Sequence, residues 1–167
     1  NIMLESEPGR GSIFSFTLRL TLTEPPKEQK QEESENTAVE LKGRRILTVE
    51  DNELNMEIIS AVLEDYGIVV DPAENGKIAL DKMAASPVGY YDMILMDIMM
   101  PVMDGLEATR EIRKLNRPDA RTIPIVAMTA NAFEEEQKKS IASGMNEHLT
   151  KPLSMEKLEE TLRKYLS

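Results

Sequence analysis

The 167-residue chain carries 30 Asp and Glu against 20 Lys and Arg, a formal charge of -10, so phosphate-rich nucleic acid and anionic membrane surfaces are disfavoured as direct partners. It has no cysteine, which excludes disulfides, thiol nucleophiles and zinc-thiolate sites and fits a cytoplasmic protein. No stretch approaches the ~20 apolar residues of a spanning helix, and the length suits one domain plus a shorter extension; a start at Asn1 points to a piece of a longer chain, with any membrane anchor upstream.

Residues 12–20, SIFSFTLRL, alternate apolar Ile13, Phe14, Phe16, Leu18 and Leu20 with Ser15, Thr17 and Arg19, close to the period of a half-buried strand. No neighbouring strand is legible beside it, so it is expected to stand isolated. The preceding PGRG, residues 8–11, reads as a hairpin turn rather than a phosphate loop. Residues 23–43, TEPPKEQKQEESENTAVELKG, lack the apolar surface needed to offset chain entropy and read as a flexible linker.

From Arg44 the pattern changes. Apolar runs at 46–50, 68–73, 93–97, 123–129 and 147–150 alternate with helical patterns, which predicts parallel strands joined by right-handed crossovers, an α/β (βα)5 sandwich over residues 44–167. Met56, Ile59, Leu63 and Tyr66 recur at helical spacing, as do Met155, Leu158, Leu162 and Tyr165, and both stripes are expected in the core. EEEQKK, residues 134–139, reads as a solvated helix face.

In an open parallel sheet, ligands sit beyond the carboxyl ends of the strands. Glu50 and Asp51 end the first strand of this unit, Asp97 the third, Thr129 the fourth, and Lys151 closes the fifth. Neighbouring strands are about 4.8 Å apart, so these carboxylates crowd unless a cation bridges them. Magnesium, which takes oxygen ligands from one or two carboxylates and a phosphate, is the natural bridge. With Lys151 it would offset the charge on an incoming phosphoryl group, Thr129 would donate to a phosphoryl oxygen, and Asp97 would be the nucleophile. Taken singly, each of these residues reads more simply as a cap or loop residue; their joint placement is what points to chemistry.

The segments VEDNELN (49–55), LMDIMMPVMDG (95–105), AMTANAF (127–133) and LTKP (149–152) resemble, in order and spacing, the receiver domains of two-component response regulators and hybrid histidine kinases. The resemblance implies a flavodoxin-like fold of sheet order 2-1-3-4-5, a phosphoacceptor at Asp97, and magnesium held by Glu50, Asp51, Asp97 and the backbone carbonyl of Met99. It also implies a cis bond between Lys151 and Pro152, and a switch pair of Thr129 with an aromatic three residues before the lysine. That position holds His148, a smaller, titratable ring. The phosphoryl donor implied is a phosphohistidine domain, either a kinase dimerisation or a histidine phosphotransfer domain. As the single histidine, His148 falls in a predicted strand, so the donor belongs to another domain or protein.

SEPGRGSIFSFTLRL (6–20) resembles the closing hairpin of a histidine-kinase ATP-binding domain, which makes residues 1–22 its C-terminal remnant and the parent a hybrid sensor kinase. No ATP site is assigned to Gly9 or Gly11. The chain is expected to be a monomer or weak dimer. Two other readings stay open at this point. One is a small magnesium-dependent aspartyl-phosphate phosphatase, although MDIMM lacks the D-x-D such enzymes usually carry. The other is an inert interaction module.

Overall fold

A computed structural model describes residues 2–7, 9, 11–17, 41–130 and 134–166. The expectations for Leu18, Leu20 and most of the linker lie outside these residues. Strand β1 (Ile2–Glu7) pairs antiparallel with β2 (Gly11–Phe16). The expected isolated strand is therefore half of a hairpin. Its partner went unread because IMLESE runs three apolar residues into three polar ones and never alternates. Register brings Leu4 opposite Phe14, and Leu4, Phe14 and Phe16 are all well exposed.

The remaining elements are β3 (Arg45–Val49), α1 (Glu53–Asp65), β4 (Val69–Ala73), α2 (Gly76–Ala85), β5 (Met93–Asp97) and α3 (Gly105–Lys114). A 3-10 turn (Pro118–Arg121) leads into β6 (Ile125–Thr129), α4 (Glu134–Ser143), β7 (Glu147–Thr150) and α5 (Met155–Leu166). The five strands β3–β7 form one parallel sheet of order β4-β3-β5-β6-β7, the expected flavodoxin-like (βα)5 arrangement. Strands β5 and β6 are buried at every position, as a parallel strand covered on both faces must be, whereas the edge strand β4 is mixed.

Two apolar clusters flank the sheet. On one face Leu47, Val49, Ile94, Met96 and Ile125 meet Ala79 and Met83 of α2 and Ala108 and Ile112 of α3. On the other, Ile46, Met93, Leu95, Val126 and Met128 meet Ile59 and Leu63 of α1 and Leu158, Leu162 and Leu166 of α5. Each fully buried side chain of this size contributes about 1.5–3 kcal/mol. The core reaches back to Leu41, fully buried although composition assigns it to the linker, and Gly43 then turns the chain into β3. Met155 departs from the expected stripe: it is 47% exposed in the first turn of α5, while Leu158 and Leu162 are buried.

Helix starts are set by side chains. Asn52, Asn75 and Asp104 each accept the amide three residues on, at 3.0, 3.0 and 2.7 Å, satisfying a donor the helix leaves open. At the amino ends of the strands, Arg117 binds Asp119 through two nitrogens at 2.6 and 2.8 Å. It also donates to the carbonyls of Met83, Ser86 and Pro87, fastening the end of α2 to the loop after α3.

The hydrogen bonds from Arg117 hold the Asp119 carboxyl at about 2, below its ordinary value of 3.8. A lowered native-state pKa contributes stability that is fully present above about pH 4 and is lost as pH falls toward 2. Asp119→Asn should cost roughly 2 kcal/mol at pH 7 and flatten the acid limb between pH 4 and 2, read by urea denaturation across pH.

Candidate functional site

The site grows from the register of the central strands. Val49 pairs with Met96, so the next residues, Glu50 and Asp97, leave adjacent strands at the same level. Both are nearly fully buried, Asp97 at 7% and Glu50 at 2% exposure. Asp51 follows on the exposed rim, and carboxylate oxygens of Glu50, Asp51 and Asp97 all lie within 4.8 Å of one another.

Lys151 is the counterweight. Its Nζ donates to Asp97 Oδ2 at 2.6 Å and also to Glu50 Oε2. Its position follows from the sheet, because its amide donates to the Thr129 carbonyl at 2.7 Å, tying the end of β7 to the end of β6. The Lys151–Pro152 peptide is cis. Thr129, 4% exposed, stands at the end of β6 beside the strand that ends in Asp97.

Burial raises the Asp97 carboxyl above the ordinary aspartate value; Lys151 and the Met99 amide pull it down without cancelling that, and Glu50 adds to the rise. For Lys151 burial opposes the charge, but Asp97 and Glu50 outweigh it and raise its pKa. The cluster thus holds more negative charge than one ammonium offsets. All its ligand atoms are hard oxygens, a donor set that suits magnesium and offers nothing to a soft metal.

Of the residues read from sequence, Glu50, Asp97 and Lys151 are in direct contact, with Asp51 and Thr129 at the rim and the next strand end. Met99 joins through its amide, which donates to Asp97 Oδ1 at 3.1 Å, while its side chain is 75% exposed. His148 does not join the carboxylates. It is half-buried on β7, opposite Ala127, and faces a separate groove with Gln137, Lys138 and Ile141 of α4 and Lys164 of α5.

Two features were not assigned from sequence. Asn55, one turn into α1, donates through Nδ2 to Glu50 Oε1 at 3.0 Å and so fixes that carboxylate; its place inside VEDNELN was the available signal. Beside Lys151 and Pro152 lies an apolar groove between α1 and α5, lined by Ile58, Val62, Leu153 and Met155. Ile58 and Met155 are about half exposed there, and Leu54 nearby is 64% exposed.

The family model for the response regulator receiver domain matches residues 46–163. Histidine kinase 5 of Arabidopsis thaliana is 34% identical over a match covering 93% of this chain and 19% of that protein. The aerobic respiration control sensor protein ArcB of Escherichia coli is 35% identical over 99% of this chain and 20% of its own. The chain thus spans about a fifth of the length of these relatives. Among solved structures, the receiver domain of a sensor histidine kinase from Pseudomonas aeruginosa, with a magnesium ion coordinated in its active site cleft, is 38% identical at TM-score 0.67, covering 74% of this chain and 98% of that one. The receiver domain of Saccharomyces cerevisiae Ssk1, solved with the histidine phosphotransfer protein Ypd1, heads a complex matched at 29% identity and TM-score 0.67, covering 75% of this chain and 90% of that one. Among the described residues no helix is long and apolar enough to cross a membrane.

Removing the counterweight isolates its contribution. Lys151→Ala leaves two buried carboxylates facing each other, and should cost about 3 kcal/mol in chelator. Thermal melts with and without magnesium will read this as a lowered midpoint that the cation partly restores; an unchanged midpoint in chelator would mean the ammonium is not the balancing charge.

Proposed function

Because the chain belongs to the family of response regulator receiver domains, and so is a receiver of two-component phosphorelay signalling, we propose that Asp97 is its phosphoacceptor. The observation that carries the assignment is the buried Asp97 carboxylate, held by Lys151 at the end of the central strand with Glu50 and Asp51 beside it. An Asp97 oxygen attacks the phosphorus of a phosphohistidine. The new P–O bond forms as the P–N bond breaks and its electron pair leaves with the imidazole nitrogen; water later attacks the same phosphorus, the Asp97 O–P bond breaks with its electron pair returning to the carboxylate, and inorganic phosphate is released.

Glu50, Asp51, Asp97 and the Met99 carbonyl would hold magnesium, which supplies positive charge against the phosphoryl oxygens. Lys151 already binds Asp97 Oδ2, so on phosphorylation its ammonium is in reach of a phosphoryl oxygen instead. Thr129 offers a hydroxyl from the neighbouring strand end, and with His148 forms the switch pair that reports the phosphoryl group to β7 and α4. The imidazole is small and half-buried on β7, beside residues of α4, so the pair works with less bulk than a phenyl or phenol ring would give.

The donor is a phosphohistidine domain, and its docking surface is the α1–α5 groove. Exposed Ile58 and Met155 lie next to Lys151 and Pro152, so a helix seated there presents its side chains toward Asp97. Residues 1–22 are read as the end of a kinase ATP-binding domain and 23–43 as the tether to the receiver. The near-complete coverage of this chain by two longer kinases supports that order. The parent is then a hybrid sensor histidine kinase acting in the cytoplasm.

Incubation with acetyl phosphate and magnesium should give one phosphoryl adduct by intact mass, absent without the cation and absent in Asp97→Asn; an adduct surviving that substitution would move the acceptor elsewhere. Ile58→Asp should slow transfer from a phosphorylated histidine phosphotransfer protein about tenfold or more, while labelling by acetyl phosphate stays within twofold. Equal slowing with both donors would point to damage at the site rather than at the docking groove.

A further inference from the structure

The chain carries 11 methionines and no cysteine, so oxidation of its sulfur runs through thioethers alone. The fold sorts these thioethers by access. Met83, Met93, Met96, Met100, Met128 and Met145 are buried in the two clusters around the sheet, and Met56 and Met103 are half-buried. The remaining three are open to solvent: Met3 in β1 at 60%, Met99 at 75% and Met155 at 47% exposure. An oxidant that acts on accessible sulfur is thereby directed to these three.

The three sit in different surroundings. Met3 belongs to the amino-terminal hairpin, and Met99 meets Asp97 through its backbone amide. Met155 lines the groove between α1 and α5 with Ile58, Val62 and Leu153, beside Lys151 and Pro152. These aliphatic neighbours mean that a helix seated in the groove buries the thioether against carbon. Core packing gives no reason for sulfur at this position, because Met155 lies outside the buried stripe of Leu158, Leu162 and Leu166. Leucine would supply similar apolar surface; methionine adds flexibility and an oxidisable atom.

We propose that Met155 is an oxidation site through which a peroxide weakens docking of the phosphohistidine donor, a control on phosphoryl transfer that needs no cysteine. The inference rests on the α1–α5 groove as the donor's docking surface. The Met155 sulfur attacks one oxygen of hydrogen peroxide. The S–O bond forms as the O–O bond breaks, and the departing oxygen takes the proton of the transferred one and leaves as water. Sulfur loses two electrons and the peroxide gains them. The sulfoxide sets a strong hydrogen-bond acceptor in the groove, where docking strips its water and Ile58, Val62 and Leu153 have no side-chain donor to replace it. A thiol-dependent sulfoxide reductase restores the thioether, its thiols becoming a disulfide and the oxygen leaving as water, so the change is reversible.

In the test the full chain is treated with hydrogen peroxide and the added oxygens are mapped by peptide mass. Phosphoryl transfer is then timed from a phosphorylated histidine phosphotransfer protein and, separately, from acetyl phosphate. Oxygen should appear on Met3, Met99 and Met155 and not on Met93, Met96 or Met128. Oxidised wild type should accept from the phosphotransfer protein about fivefold or more slowly, with labelling by acetyl phosphate within about twofold of untreated protein. Met155→Leu is compared with itself: from whatever rate it starts, peroxide should change transfer less than about twofold, whereas Met99→Leu should keep the full response. If Met155→Leu slows on oxidation as wild type does, or both donors slow equally, the effect lies at another methionine and the proposal is overturned. If oxygen on Met155 leaves transfer unchanged while Ile58→Asp slows it, the proposal fails and the docking groove stands. If Ile58→Asp is also without effect, the groove assignment falls and takes the proposal with it.

Discussion

Three carboxylates from two adjacent strands meet at one end of a parallel sheet, and a single lysine from a third strand end stands against them. The placement is forced by register: once Val49 is opposite Met96, Glu50 and Asp97 have to emerge side by side. The protein accepts this repulsion in a place where two of the acids are almost out of water and the remaining charge suits a divalent cation. Around that constraint the rest is support. Asn55 holds Glu50, the Met99 amide holds Asp97, and the Thr129 carbonyl holds the backbone of Lys151. None of these supports carries a full charge, so they orient the cluster without neutralising it.

The fold also separates tasks by end. At the carboxyl ends of the strands lie strained and charged features: the acid cluster, Val102 with its φ of +71°, and the exposed apolar groove. At the amino ends lie features that close well. Arg117 satisfies an acid and three carbonyls, and Arg113 donates to the carbonyls of Ala120, Ile123 and Gly144 and to Asn146, gathering α3, β6 and β7. The two ends are linked by strands of four or five residues that are largely buried, which is a short and stiff connection.

Much of this was legible from residue order, for identifiable reasons. Strands covered on both faces leave unbroken apolar runs, so β5 and β6 stood out as MILMD and IVAMT, and the proposed site residues Asp97 and Thr129 stood at their ends. The unread parts depend on partners distant in sequence or on exceptions to preference. Arg117 gives no hint of which carbonyls it will find. Leu41 looks like linker until the core opposite it exists. Met155 shares the spacing of Leu158 and Leu162 but sits a turn earlier, in the groove beside Pro152. Val102 is the clearest case, since a β-branched residue argues against the very backbone region it occupies.

The hairpin at the start of the chain has a consequence for how the molecule behaves in solution. Leu4, Phe14 and Phe16 give it an apolar face open to water, on a ribbon that has two strands among the described residues. Such a ribbon is adhesive in its own right. Self-association of this stretch, followed by light scattering, would therefore track protein concentration and kosmotropic salt rather than phosphoryl content, and a colloid of ribbons should not be mistaken for a signalling dimer.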